Sequence, residues 1–246
     1  MVTARTAPQV TVDVATMTRL GAYVALTKPR IIELLLITTV PAMVIAAGGW
    51  PSTWLVMATL IGGTLSAAGA NVLNCVYDAD IDELMRRTRG RPLARHEISP
   101  TRATVFGIVL GLAGFAVLWA TSNLLAASLS TAALLFYVFV YTIGLKRRTP
   151  QNIVIGGAAG AAPALVGWAA VEGSLALTPW ILFFVVFYWT PPHFWALAVR
   201  YRDDYARAGV PMLQVVAGIE RTTRRMLLYT GLMVAVSLLL VPVAGL

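Results

Sequence analysis

Charge is what this sequence has least of. Among 246 residues only 12% are Asp, Glu, Lys or Arg, against about 25% in an ordinary soluble domain. A chain so poor in charge, with 58% hydrophobic residues, is neither disordered nor a typical water-soluble fold. Cysteine is nearly absent too: Cys75 stands alone, which excludes a disulfide framework. Acids are the scarcer sign, 11 against 19 Lys and Arg, for a net charge of +8. Nor does an apolar core follow Arg5, so residues 1–26 do not read as a secretory signal. They read as a short polar tail on one face of a membrane.

What the chain does have is long apolar runs. A helix needs roughly 20 apolar residues to cross a hydrocarbon core of about 30 Å. Seven runs qualify, at 31–49, 54–74, 103–121, 124–143, 152–171, 179–199 and 226–245. The expected fold is all-α: a polytopic transmembrane bundle of about seven spanning helices, forming one domain over 27–246. All the lysines and arginines fall before the first run, in the loops at 75–102 and 144–151, or around 200–225. The opposite connections, near 50–53, 122–123 and 172–178, hold none. Positive-inside bias then places the N-terminus and the basic loops in the cytoplasm, in a multi-pass protein of the inner (plasma) membrane. The basic balance is explained by topology, with no nucleic acid as partner and membrane lipid as surroundings. The two long cytoplasmic loops, 75–102 and 200–225, are where function is expected.

The first of them follows a run of spaced polar groups. Asn71, Asn74, Asp78 and Asp82 recur at intervals of three and four, which stacks them on one helix face. Like charges four apart repel, so the pattern costs stability unless something neutralises it. A divalent cation would, and hard Mg²⁺ takes carboxylate oxygens together with substrate phosphates and waters. Polar groups starting inside an apolar run are expensive and usually functional. Asn74, Asp78 and Asp82 are therefore the expected catalytic group, with Asp78 and Asp82 as metal ligands and Asn71 as a substrate contact. Arg87 and Arg91 follow within ten residues and are expected to grip phosphate, since a guanidinium binds it through two parallel bonds. In the second loop Asp203 and Asp204 are candidates for a second cation, and Lys146, after the fourth run, for another phosphate contact.

These segments together resemble the UbiA superfamily of intramembrane prenyltransferases, and within it the haem-directed branch. The resemblance rests on Thr27-Lys-Pro-Arg30, Asn71 through Asp82, Arg87-Thr-Arg-Gly-Arg-Pro-Leu93, Tyr141 through Arg147, Thr149 through Gly160, Trp168, Trp189 through Trp195 and Asp203 through Leu213. It runs from about residue 24 to the end of the sequence, and the stretches at 149–160, 189–195 and 203–213 look specific to the haem-directed branch. It implies transfer of a farnesyl group from farnesyl diphosphate to a vinyl group of haem B, giving haem O and diphosphate, with Mg²⁺ held by the two acidic loops. It also implies a downstream haem-modifying enzyme as a partner. The family fold it implies has nine helices against seven runs here, so the expectation is a truncated chain, or one without its closing helices, and one chamber wall missing. Position 207 is Arg where many relatives place the last acid of the second motif, which weakens Asp203 and Asp204 as ligands.

With haem as a substrate, His193, after Pro191-Pro192, becomes a candidate iron ligand, because a neutral imidazole can bind iron there. Tyr188, Trp189, Phe194, Trp195 and Trp168 are candidates to line an apolar chamber. Two rivals stand beside this reading. One is a UbiA-type enzyme with an aromatic quinone-precursor acceptor. The other is a transporter, disfavoured because the acids cluster at one helix end beside arginines rather than at mid-bilayer.

Overall fold

The computed structural model describes residues 18–244, so Arg5 and the rest of the tail before residue 18 lie outside the described residues. Seven helices are long and apolar enough to cross a membrane: α2 (Pro29–Ala46), α3 (Thr53–Tyr77), α5 (Pro100–Thr121), α6 (Leu124–Leu135) with its continuation to Leu145, α7 (Asn152–Glu172), α8 (Leu177–Arg200) and α11 (Gly218–Leu238) with α12 (Leu240–Ala244). Among the described residues there is no strand. Each apolar run thus became a spanning helix with ends shifted by a few residues; the first, read as 31–49, stops at Ala46, and the last is split into α11 and α12. The largest extension is α11, which starts at Gly218 rather than 226.

Why the helices stop where they do is legible in their caps. Ser99 accepts from the backbone N–H of Arg102 and Pro100 occupies the first turn of α5, while Asn123 accepts from Ala126 N–H to open α6. Gly173 closes α7 at φ +66°, a conformation cheap only without a Cβ.

In lipid, helices gain nothing from the hydrophobic effect on meeting one another, so close contact depends on small side chains. The main seam is α3 against α5. A Cβ on Gly69 would sit 2.6 Å from the carbonyl oxygen of Gly107, and one on Gly114 2.7 Å from the backbone nitrogen of Ser66. The seam leaves no room for either, and the two backbones nearly touch.

Shorter elements build a cap over one end of the bundle. Residues 19–26, read from sequence as part of a tail, instead form most of α1 (Arg19–Thr27), capped by Thr18, with Ala22 and Leu26 buried against Val72, Cys75, Leu93 and Ala103. Tyr23 meets Phe106 edge to face at 5.0 Å. The two long loops carry short helices as well: α4 (Ala79–Leu84) in the first, α9 (Arg202–Arg207) and α10 (Leu213–Val216) in the second. Ile81 and Met85 from the first pack with Tyr205, Val210 and Met212 from the second around the fully buried Trp195 of α8. Two stretches far apart in sequence thus share one core.

Between Phe136 and Leu145 the fourth span winds as a π-helix, bonded to the fifth residue back. Such stretches are rare and concentrate at functional sites. This one carries Tyr137, Tyr141 and Thr142 and delivers Lys146 at its end.

Candidate active site

Asn74, Asp78 and Asp82 do share a face, although the helix is not continuous. α3 ends at Tyr77 and Asp78 leaves helical geometry, yet Asp78 N–H still donates to Asn74 O at 3.0 Å and Asp82 N–H to Asp78 O at 2.9 Å. The four-residue spacing survives the break. All three side chains are buried, at 3%, 0% and 3% exposure.

The repulsion expected between the acids is met first by the chain's own cations. Lys146 Nζ donates to Asp78 Oδ2, and Arg91 donates to Asp82 Oδ2 at 2.6 Å. Arg147 stands 3.8 Å from Asp78 Oδ1 and grips Asp80 with both terminal nitrogens at 2.6 and 2.7 Å. Its guanidinium holds the Asp80 carboxyl below the usual carboxylate range. Arg91 reaches Asp82 because the chain folds back after α4: Thr88 and Arg89 N–H both donate to Met85 O, and Arg91 N–H to Thr88 O.

Asn74 is the hub. Its amide nitrogen donates to Asp78 Oδ2 at 2.8 Å and to Thr142 Oγ1 at 3.0 Å, while its oxygen accepts from Lys28 Nζ at 2.6 Å. Lys28 gave no sequence signal beyond its place in Thr27-Lys-Pro-Arg30. It sits at φ +54° between α1 and α2, a left-handed bend that any side chain but glycine enters at a cost. That bend turns its ammonium into the site, where burial lowers it to about 8. Asn71, expected as a substrate contact, donates to Thr27 O at 2.9 Å and so ties α3 to the same bend.

These groups surround the inner end of a cavity of about 280 Å³. Lys28, Asn71, Asn74, Asp82, Arg87, Arg91 and Lys146 line it, and Asp78 lies just behind them. Tyr137, Tyr141 and Tyr205 form the next wall, with the first two rings stacked at 5.3 Å. Beyond them the lining is mostly Leu, Ile, Ala and Gly, with a few Thr and Ser, from α2, α3, α6 and α7, and Phe194 from α8. One end is cationic and oxygen-rich, the other apolar.

Other expected residues are placed elsewhere. Asp203 is exposed, and Asp204, though buried, is ion-paired to Arg207 one turn on; neither lines the cavity. Arg207, the departure noted in the sequence, is thus what occupies that carboxylate. His193 also stays outside, its ring stacked on Trp189 at 4.2 Å. Of the five aromatics named for the chamber only Phe194 lines it, and Trp195 lies in the core.

The first acidic group fits Mg²⁺. Asp78 Oδ1 is buried with no hydrogen-bond partner, and Asp82 faces the cavity beside it. Hard oxygen donors of this kind, one or two per ion with phosphate oxygens completing the shell, are what Mg²⁺ takes. Among the described residues no group of three or more His, Cys, Asp or Glu forms a fuller cage.

An apolar chamber closed by acids and cations suits a molecule with a greasy tail and a phosphate head, and comparison with known proteins agrees. Residues 35–246 match the model of the UbiA prenyltransferase family. The chain is 59% identical over 226 residues to protoheme IX farnesyltransferase 2 of Saccharopolyspora erythraea, covering 92% of this chain and 70% of that protein. It is 57% identical over 235 residues to the protoheme IX farnesyltransferase of Clavibacter michiganensis subsp. michiganensis, covering 96% and 76%. The Nocardioides sp. enzyme of that name is 61% identical over 226 residues, covering 92% and 72%. Among solved structures, a UbiA homologue from Archaeoglobus fulgidus bound to DMAPP and Mg²⁺ superposes with a TM-score of 0.71 at 22% identity, over 87% of this chain and 76% of that one. Sequence, fold and the match over most of the chain agree: this multi-pass membrane protein belongs to the UbiA prenyltransferase family.

Proposed function

We propose that the chain transfers the farnesyl group of farnesyl diphosphate to a vinyl group of haem B, giving haem O and diphosphate. The observation that carries the reaction type is the buried Asn74–Asp78–Asp82 group, ringed by Lys28, Arg91 and Lys146 at the head of an apolar cavity. The choice of substrates is supported by relatives of 57–61% identity that are protoheme IX farnesyltransferases.

The chemistry asks for what these residues offer. The allylic carbon–oxygen bond breaks, its electron pair leaves with the diphosphate, and a delocalised cation remains on the tail. Preorganised positive charge at the leaving group lowers that barrier most. Lys28, Arg87, Arg91 and Lys146 hold the diphosphate oxygens, and Asn74 fixes Asp78 through its amide. Mg²⁺, held by Asp78 and Asp82, supplies further charge neutralisation when bound. Tyr137, Tyr141 and Tyr205 line the wall where the cation forms, and aromatic faces attract cations. The vinyl group then provides the electrons for the new carbon–carbon bond, and water quenches the cation left beside the porphyrin.

Asp203 and Asp204 keep a role only for a second ion, which would have to displace Arg207 from Asp204. His193 keeps the role of iron ligand for a porphyrin approaching along the exposed side of α8. The basic cap faces the cytoplasm, in the plasma membrane, and a haem-modifying enzyme consumes the product. Mass spectrometry after incubation with farnesyl diphosphate, Mg²⁺ and either haem B or 4-hydroxybenzoate tests the acceptor. Farnesylated haem from the first is expected; prenylated benzoate alone would make the chain a quinone-precursor enzyme.

A further inference from the structure

The cavity does not end where the diphosphate site ends. Along α3 it is lined at Asn74, Ala70, Ser66, Gly63 and Thr59. At about 1.5 Å per residue, Gly63 lies roughly 16 Å from Asn74 and Thr59 roughly 22 Å. An isoprene unit adds four chain bonds of about 1.5 Å, hence about 5 Å when extended. Three units measured from Asn74 end near Gly63; a fourth would have to reach Thr59.

The two positions differ in kind. Nothing lies within 4 Å of a Cβ placed on Gly63, so the missing side chain is open cavity rather than a helix contact. Its neighbour Gly62 behaves oppositely, with Leu118 Cγ at 2.7 Å from its Cβ position. Thr59, 1% exposed, is the residue of α3 farthest from Asn74 that lines the cavity.

We propose that Gly63 sets the length of prenyl tail the chain accepts, its missing side chain leaving the space that the third isoprene unit fills. The inference rests on the prenyl-diphosphate part of the reading above, and is independent of the acceptor. A leucine at position 63 adds four carbons where an isoprene unit has five, and meets no protein atom at its first carbon.

The test is calorimetric binding of geranyl, farnesyl and geranylgeranyl diphosphates, with Mg²⁺, to the detergent-purified chain. Gly63→Leu is expected to lower the farnesyl-to-geranyl affinity ratio roughly tenfold or more, the scale on which hydrophobic pockets discriminate by size. Gly63→Ala is expected to move it the same way by less. Two results would overturn the ruler: an unchanged ratio in both variants, or geranylgeranyl diphosphate binding the wild type more tightly than farnesyl. Because the readout is binding, a wild type that bound the diphosphates but left haem B unmodified would count against the acceptor and not against Gly63.

Discussion

Each polar residue at the head of the cavity holds another in place, and this interdependence gives single substitutions their expected effects. Lys28 is the clearest case. Its ammonium bonds Asn74, lines the cavity and is lowered by burial to about 8. Below that pH it is charged and attracts a diphosphate; as pH rises through about 8 the charge is lost and affinity of the free protein falls. Titrating farnesyl diphosphate binding between pH 7 and 9 should show this step, and Lys28→Met should bind more weakly below pH 8, approach the wild type above it, and show no step. His193 stands apart, stacked on Trp189 and outside the cavity. If it ligates iron, His193→Ala shifts or abolishes the Soret band of bound haem; an unaltered spectrum removes that role. The sequence made Asn74, Asp78, Asp82, Arg87, Arg91 and Lys146 visible because spacing and charge in an apolar context are local signals. Lys28 and Thr142 were not, since they arrive from other helices and only folding brings them to Asn74.

Among the elements, the α3–α5 seam and the π-helical stretch flank the site from two sides. α3 carries the motif, and its distance from α5 is set by glycines at van der Waals contact. Gly69→Ala puts a methyl group 2.6 Å from Gly107 O and should destabilise the fold by about 1–3 kcal/mol, as overpacking does. Thermal unfolding in detergent measures this, and Gly63→Ala, whose Cβ meets nothing, is the control expected to leave stability nearly unaltered. The spans themselves were legible from length and hydropathy alone. The helicity of 19–27 and 202–207 was not, because those segments are short, and their burial against the rest of the fold decides their structure more than their own propensity does. The same limit applies to Asp204: its place beside Asp203 in an acidic loop offered it as a ligand, while the i+3 pairing with Arg207 only appears once α9 is formed.

Across the whole molecule, charge distribution and architecture tell one story. The connections at the far end carry no Lys or Arg, whereas the cap that covers the site is built from arginine-rich segments. Because Cys75 is buried, single cysteines introduced elsewhere report topology against a silent background. In intact cells Ser122→Cys should react with an impermeant maleimide and Arg89→Cys should not; the reverse pattern would invert the protein. In the proposed reaction Asp78 and Asp82, held in a basic pocket, drive loss of diphosphate from a farnesyl chain that ends on haem. Purified protein given haem B, farnesyl diphosphate and Mg²⁺ should release diphosphate in step with haem O seen by mass spectrometry. Asp78→Asn, Asp82→Asn or chelation with EDTA should each slow this by about a hundredfold or more. Wild-type turnover by either variant would contradict the account.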